Sequence, residues 1–189
     1  KYLRFFGGIC SEHTSATRMG TDWRSNDPEV EPVVEIFQGT RQSYEKENAP
    51  RVGSAFFTRG GWRPKGMVHR ALQKGCRLGF QASSDHKSTH ISYACVFVEE
   101  PSRQAILQAL KKRRVYAATD NIIADVRCGS HFMGEEFTVD RPPTLDVKLT
   151  GTAPFARVTV VKDGIDVYTL KPGKTFVQFS WTDTAAQPG

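Results

Sequence analysis

The chain has 189 residues, enough for one mid-sized domain or two small ones. Hydrophobic residues make up 39% of it and charged residues 24%, which is typical of a folded globular protein and excludes a disordered one. The formal net charge is +6, but the basic residues are scattered, so we expect no nucleic-acid partner. No stretch approaches the roughly 18 uninterrupted apolar residues of a membrane span, so none is expected.

The first 120 residues alternate predicted strands with two predicted helices. Strands are predicted over 9–13, 33–37, 78–82 and 92–98, and helices over 67–74 and 103–113, the second capped by Ser102; a long irregular segment covers about 40–65. Loops of that length inside a compact domain are usually functional lids or disordered inserts. The alternation of strands, helices and long loops predicts a parallel α/β architecture.

After Asp120 the pattern changes to strands alone. Strand-like segments occupy 122–127, 144–149, 157–162, 166–170 and 176–181. Asp163-Gly164, between the third and fourth of them, is typical of a tight hairpin turn. We therefore predict two parts: an α/β part over 1–120 and an antiparallel, sandwich-like β module over 121–189.

The four cysteines, at positions 10, 76, 95 and 128, include no Cys-x-x-Cys pair. The spacing therefore indicates neither a zinc knuckle nor a redox motif, and it leaves disulfides open. Cys10 and Cys95 lie in apolar runs and are predicted to be small buried side chains.

Polar residues at the ends of predicted strands form the candidate site. Asp85 and His86 come soon after the strand over 78–82, and His13 ends the strand over 9–13. Carboxylate oxygens and imidazole nitrogens are the usual donors to Zn, Mn and Fe, so these three residues are candidate metal ligands. The alternative is structural: an Asx turn with a surface histidine at 85–86 and a hydrogen-bonded histidine at 13.

Two further features have several interpretations. Glu35 stands inside the apolar strand Val-Val-Glu-Ile-Phe, where an unpaired buried carboxylate is costly. A metal, an arginine or a solvent-facing edge position would each satisfy it. The segment from Gly60 to Gly66 combines glycines, a tryptophan and two cations, which suits phosphate binding, although it matches no known phosphate-loop pattern.

Several stretches resemble a known family. Gly79-Phe-Gln-Ala-Ser-Ser-Asp85-His86 resembles the last metal-binding motif of the polymerase-and-histidinol-phosphatase (PHP) superfamily. The stretch from Ser102 to Asp120, which ends in Arg-Arg-Val-Tyr-Ala-Ala-Thr-Asp, looks like the branch of that superfamily named domain of unknown function 3604 (DUF3604). The segments 13–23, 35–39 and 132–137 are similar to further parts of that branch.

The resemblance implies that residues 1–120 are the C-terminal part of a distorted (β/α)7 TIM-like barrel, followed by the β module. The strand ends of the complete barrel would hold two or three divalent metal ions, and His13, Asp85 and His86 would be ligands. Glu35 would be a ligand, a residue supporting the ligands, or structural. The implied activity is hydrolysis of a small phosphate ester by metal-activated water.

Two cations are candidate contacts to the substrate phosphate. Lys87 follows the metal motif directly, and Arg63 lies in the glycine-rich segment. Solvated surface is the alternative for both. For the whole protein, the alternative function is a non-catalytic binding or interaction protein whose β module binds carbohydrate or protein.

The sequence departs from the family pattern in two ways. The family motif is Asp-x-His, whereas His86 follows Asp85 directly and Lys87 takes the expected place, so His86 and His90 compete for the imidazole role. The N-terminal His-x-His motif and the middle ligands are absent and are expected upstream of Lys1. On this hypothesis the 189 residues are a fragment that is inactive alone.

Overall fold

The computed structural model describes residues 1–39 and 42–186, with only the backbone of Lys87. The chain divides into two compact units, Lys1–Thr119 and Asp120–Gly189. None of the described helices is long and apolar enough to cross a membrane.

The first unit contains short helices and short strands. Its helices are α1 (Tyr2–Phe6), α2 (Val68–Gln73) and α3 (Arg103–Lys111). Its strands are β1 (Ser11–Glu12), β2 (Val33–Gln38), β3 (Gln42–Ser43), β4 (Gly79–Ser83), β5 (Tyr93–Val96) and β6 (Val115–Ala118). Two 3₁₀ turns cover Pro64–Gly66 and Asp85–Lys87.

β2 is the central strand of the first unit. It pairs in parallel with β1 and β4 and antiparallel with β3, whereas β5 and β6 form a separate antiparallel pair. Val33 and Val34 of β2 are almost completely buried, as expected for an apolar strand covered on both faces. Val34 packs in a core cluster with Trp23, Val68 and Ala71. This packing fixes the strand that carries the candidate site.

The second unit is formed by β-strands. They are β7 (Ile123–Cys128), β8 (His131–Phe132), β9 (Thr144–Thr150), β10 (Val158–Lys162), β11 (Ile165–Leu170) and β12 (Phe176–Thr182). One antiparallel sheet has the order β12-β9-β7-β8, and β10 and β11 form a hairpin. Asp163 and Gly164 at the hairpin turn both have positive φ, 53° and 77°, as a type I′ turn requires.

The prediction of the C-terminal part of a TIM-like (β/α)7 barrel is wrong. The described residues form a β-rich fold with strands in several separate sheets and three α-helices of five, six and nine residues. A barrel requires parallel strands that are each followed by a helix. Here β2 also pairs with antiparallel β3, and β5 and β6 pair only with each other among the described strands. The parallel pairs of β2 have the local pattern of an α/β fold, which explains the error.

The predictions of individual strands, turns and helix caps were more accurate. The predicted hairpin turn and the five strands of the second unit are confirmed close to their expected positions. Helix α3 begins where expected, and the hydroxyl of Ser102 accepts a hydrogen bond from the Ala105 N–H at 3.1 Å. The predicted burial of Cys10 is wrong, because its side chain is exposed, and all four cysteines are free thiols.

The Ser102 cap provides a test of helix α3. Ser102→Ala should lower the free energy of unfolding by about 1 kcal/mol, because the Ala105 N–H loses its acceptor at the helix start. Urea denaturation followed by circular dichroism measures the loss. Ser102→Asp is the matched control and should retain wild-type stability, since its carboxylate accepts the same bond. An equal loss in both variants would contradict the capping role.

Candidate functional site

The carboxylate of Glu35 lies at the centre of the candidate site. The residue is 1% exposed, in the middle of β2. Its Oε1 accepts a hydrogen bond from the hydroxyl of Ser83, and its Oε2 accepts one from the Thr14 N–H at 3.0 Å. The Nε2 of His13 lies 3.8 Å from the same Oε2. Two donors and one imidazole therefore surround a carboxylate that has almost no access to water.

Two of the three partners expected for Glu35, an arginine and a solvent-facing edge position, are absent from the described residues. Among the described side chains, no arginine or lysine contacts the carboxylate of Glu35. The residue is also buried and does not face solvent. Hydrogen bonds from Thr14 and Ser83 instead offset the cost of its burial. The sequence analysis did not identify these two donors, the backbone N–H of Thr14 and the hydroxyl of Ser83. Neither residue type carries a signal of this role in the sequence.

Strand pairing explains why these residues meet. β1 and β4 both run parallel to β2, so the residues that follow β1 and end β4 reach the same edge of the sheet. β2 has one extra residue, Ile36, relative to β4, and this bulge lies beside Glu35. Bulges redirect neighbouring side chains and are frequent next to active sites. Gly39 then lets the end of β2 approach β4, because a Cβ there would lie 2.1 Å from the Ser84 carbonyl oxygen.

His13 and Glu35 form a histidine–carboxylate pair, in which His13 is the accessible member. Its side chain is 57% exposed, whereas that of Glu35 is 1% exposed. The Nδ1 of His13 lies 3.2 Å from the hydroxyl of Thr14. The backbone of Thr14 has a positive φ of 44°. This left-handed turn lets Thr14 direct its N–H to Glu35 next to the imidazole. The arrangement thus joins a buried anion to a histidine that solutes can reach.

Asp85 and His86 form a separate local pair. The Nε2 of His86 lies 3.3 Å from Asp85 Oδ1, and the His86 N–H donates to the same oxygen at 2.7 Å. The side chain of His86 is 86% exposed. His90 is also exposed, with its Nδ1 2.8 Å from the Thr89 hydroxyl. His86 and His90 are thus surface histidines, as the structural alternative expects, and Asp85 contacts its own neighbour within the turn.

The buried phenol of Tyr44 is influenced by the carboxylates of both pairs and was not predicted from the sequence. It is 2% exposed and its hydroxyl donates to the side-chain oxygen of Gln38 at 3.3 Å. Burial raises the pKa of Tyr44, and the negative charges of Glu35 and Asp85 raise it further. Both carboxylates are thus close enough to act electrostatically on one phenol, which remains protonated and neutral.

The structure does not assemble the complete predicted set of metal ligands. In the part of the chain that it describes, no group of three or more His, Cys, Asp or Glu side chains is close enough to hold a metal ion. His13 and Glu35 form one pair, and Asp85 and His86 form another. The side chain of Lys87 lies outside the described part of the structure. Arg63 is exposed and lines a different cleft.

Comparison with known proteins identifies uncharacterised relatives. The chain is 25% identical to an uncharacterized protein of Chlamydia muridarum (strain MoPn / Nigg) and 26% identical to one of Chlamydia trachomatis serovar D, over 193 aligned positions and 90% of this chain in each case. The match covers 31% of each relative, so the chain spans about a third of their length. No family model and no solved structure matches the chain.

The raised pKa of Tyr44 predicts how stability depends on pH. Its pKa in the folded protein lies above the ordinary value of 10.0, so the unfolded chain loses this proton first as the pH rises. The stabilisation is therefore complete below pH 10 and decreases above it. Tyr44→Phe should be about 1 kcal/mol less stable at neutral pH, because its hydrogen bond is lost, but should lose less stability above pH 10 than the wild type.

Urea denaturation on both sides of that pH measures this difference. Tyr93→Phe is the matched control, since Tyr93 belongs to the same unit and its hydroxyl donates to the His90 carbonyl. This control should retain the alkaline loss of stability seen in the wild type. The same alkaline loss in Tyr44→Phe as in the wild type would show that Tyr44 is not its source.

Proposed function

We propose that His13 and Glu35 bind a divalent metal ion and that the chain is part of a metal-dependent hydrolase acting on phosphate esters. The observation that supports this proposal is the environment of Glu35. A carboxylate that is 1% exposed faces an accessible imidazole, and no described lysine or arginine neutralises it. Buried charges in proteins are usually paired or coordinate metals.

The chemistry of the two groups fits a divalent ion. A carboxylate oxygen and an imidazole nitrogen suit Zn, Mn or Fe, in line with the metals expected from the sequence. Ligands about 2.1 Å from a tetrahedral ion lie roughly 3.4 Å apart, so only a small movement of the exposed His13 is needed from the 3.8 Å separation. The bonds from Thr14 and Ser83 orient the carboxylate, as supporting hydrogen bonds do in metal sites.

Each residue has a distinct role in this proposal. A bound divalent ion would lower the pKa of water and neutralise charge that develops on the phosphate ester. Glu35 supplies a fixed anion at the base of the site, and His13 lies where substrate can reach it. Tyr44 stays neutral near the negative charges of Glu35 and Asp85, and its hydroxyl donates a hydrogen bond to the side-chain oxygen of Gln38. It therefore adds no negative charge that would repel a phosphate ester.

The proposal extends to residues beyond the pair. Asp85 and His86 lie on the turn after β4, and the charge of Asp85 acts on Tyr44 as that of Glu35 does. These two residues, or His90 in place of His86, are candidates to complete the coordination. We propose that further ligands come from outside these 189 residues, since the relatives are about three times as long as the matched region.

Metal titration tests the proposal directly. Isothermal titration calorimetry of the longest natural protein that contains this chain, with Zn²⁺ and Mn²⁺, should show a site that His13→Ala and Glu35→Gln each weaken at least about tenfold, because each removes a ligand. His69→Ala is the matched control. The Nε2 of His69 lies 3.3 Å from the Glu47 carboxylate, so the control disrupts a histidine–carboxylate pair of the same chemistry elsewhere in the unit.

Two results would contradict the metal site. One is the absence of binding to either ion, and the other is an equal loss in His69→Ala and His13→Ala. Either would favour the non-catalytic binding protein. The hydrolase part is tested by the hydrolysis of p-nitrophenyl phosphate by the longest natural protein that contains this chain. Glu35→Gln should abolish that activity, and unchanged activity would overturn the assignment.

A further inference from the structure

A second cleft lies in the first unit, between the residues that follow β1 and the glycine-rich segment Gly60 to Gly66. Its volume is about 770 Å³, within the range of small-molecule sites. Its lining contains none of the residues discussed above as metal ligands, which are His13, Glu35, Asp85 and His86. Whatever this cleft binds is therefore held by residues other than those of the proposed metal site.

The lining of the cleft is strongly cationic. It includes four basic side chains, Arg24, Arg63, Lys65 and Lys74, and one carboxylate, Asp22. Asp22 is paired with Arg24, whose Nε donates to it at 2.7 Å. Lys74 donates to the carbonyl oxygen of Trp23 at 3.3 Å. Arg63 and Lys65 have no ion-pair partner among the described residues, so their charges are available to a ligand.

Ser15 supplies an independent sign of a missing partner. The residue is 1% exposed and lines the cleft, yet its hydroxyl has no hydrogen-bond partner within the described structure. Buried polar atoms are rarely left unpaired, because the hydrogen bonds to water that they lose on burial would then not be replaced. The Ser15 hydroxyl is itself buried, so it would pair with a ligand oxygen in the cleft after a rotation of its side chain, and that oxygen would provide the partner that the protein lacks.

The walls of the cleft are fixed by contacts within the protein. The Arg63 N–H donates to the Ala16 carbonyl at 2.8 Å, and the indole N–H of Trp23 donates to the Gly66 carbonyl at 2.7 Å. Gly66 lies so close to Ser15 that a Cβ would come within 1.8 Å of the Ser15 carbonyl oxygen. Trp23 is itself part of the core. The backbone around the cleft is thus pre-organised, which lowers the entropic cost of binding.

We propose that this cleft binds a small phosphate monoester. Arg63 and Lys65 would donate charge-assisted hydrogen bonds to the phosphate oxygens, and the Ser15 hydroxyl would donate a third bond. The dianionic phosphate matches the excess of positive charge. The volume exceeds that of a phosphate ion, so it also accommodates the organic part of the ester.

Calorimetry on the chain treated with EDTA tests the cleft separately from any metal. Glycerol phosphate should bind with a dissociation constant below about 1 mM, and inorganic phosphate should bind more weakly. The double variant Arg63→Ala/Lys65→Ala should weaken glycerol phosphate binding at least about tenfold, since two charge-assisted bonds are lost. The double variant Lys171→Ala/Lys174→Ala is the control, because it removes the same charge from exposed positions in the second unit and should bind as the wild type does.

Ser15→Ala gives a test that does not depend on charge. It should weaken glycerol phosphate binding several-fold without lowering the melting temperature, because the hydroxyl that it removes has no partner in the protein. No binding of glycerol phosphate, equal losses in the two double variants, or wild-type binding in Ser15→Ala would overturn the proposal. Binding of inorganic phosphate as tight as that of glycerol phosphate would overturn the monoester assignment. Because EDTA is present, none of these results depends on whether His13 and Glu35 bind metal.

Discussion

The buried carboxylate of Glu35 is the constraint on which the rest of the site depends. An ionised group with almost no access to water must receive hydrogen bonds or opposite charge, or the fold loses stability. Thr14 and Ser83 supply those bonds from the segment after β1 and from the end of β4. One side chain therefore connects three segments that are distant in the chain, and it places His13 at the edge of the sheet.

The same packing produces a second, separate surface. The residues after His13 turn from Glu35 towards the glycine-rich segment, where Gly66 contacts the backbone of Ser15 and Trp23 joins the wall to the core. Glycine is required at position 66, because any side chain there would overlap the Ser15 carbonyl. The segment that binds the Glu35 carboxylate through Thr14 therefore also lines the cationic cleft through Ser15 and Thr17. The two proposals assign different chemistry to two sites that share this short segment.

The resemblance to the PHP superfamily led to the wrong architecture. The apolar run of β4 and the polar residues after it have the local pattern of a barrel strand with a metal motif at its end. Pairing is a non-local property, and in this structure β2 also pairs with an antiparallel strand while β5 and β6 pair apart from it. Asp85 and His86 accordingly contact each other in a turn, whereas His13 approaches Glu35. The metal-site proposal now depends on the surroundings of Glu35 and not on a barrel.

The sequence by itself determined the features that local chemistry encodes. The strands of the second unit, the Asp163-Gly164 turn and the Ser102 cap were all predictable, because alternation, left-handed turn residues and capping hydroxyls act over a few residues. Only the tertiary structure decided which donors reach Glu35, that the charges of Glu35 and Asp85 both act on Tyr44, and that the Ser15 hydroxyl lacks a partner among the described residues. Each of these facts involves segments that are far apart in the chain. Whether a polar group loses water, and which donor replaces it, depends on how those segments pack in the whole fold.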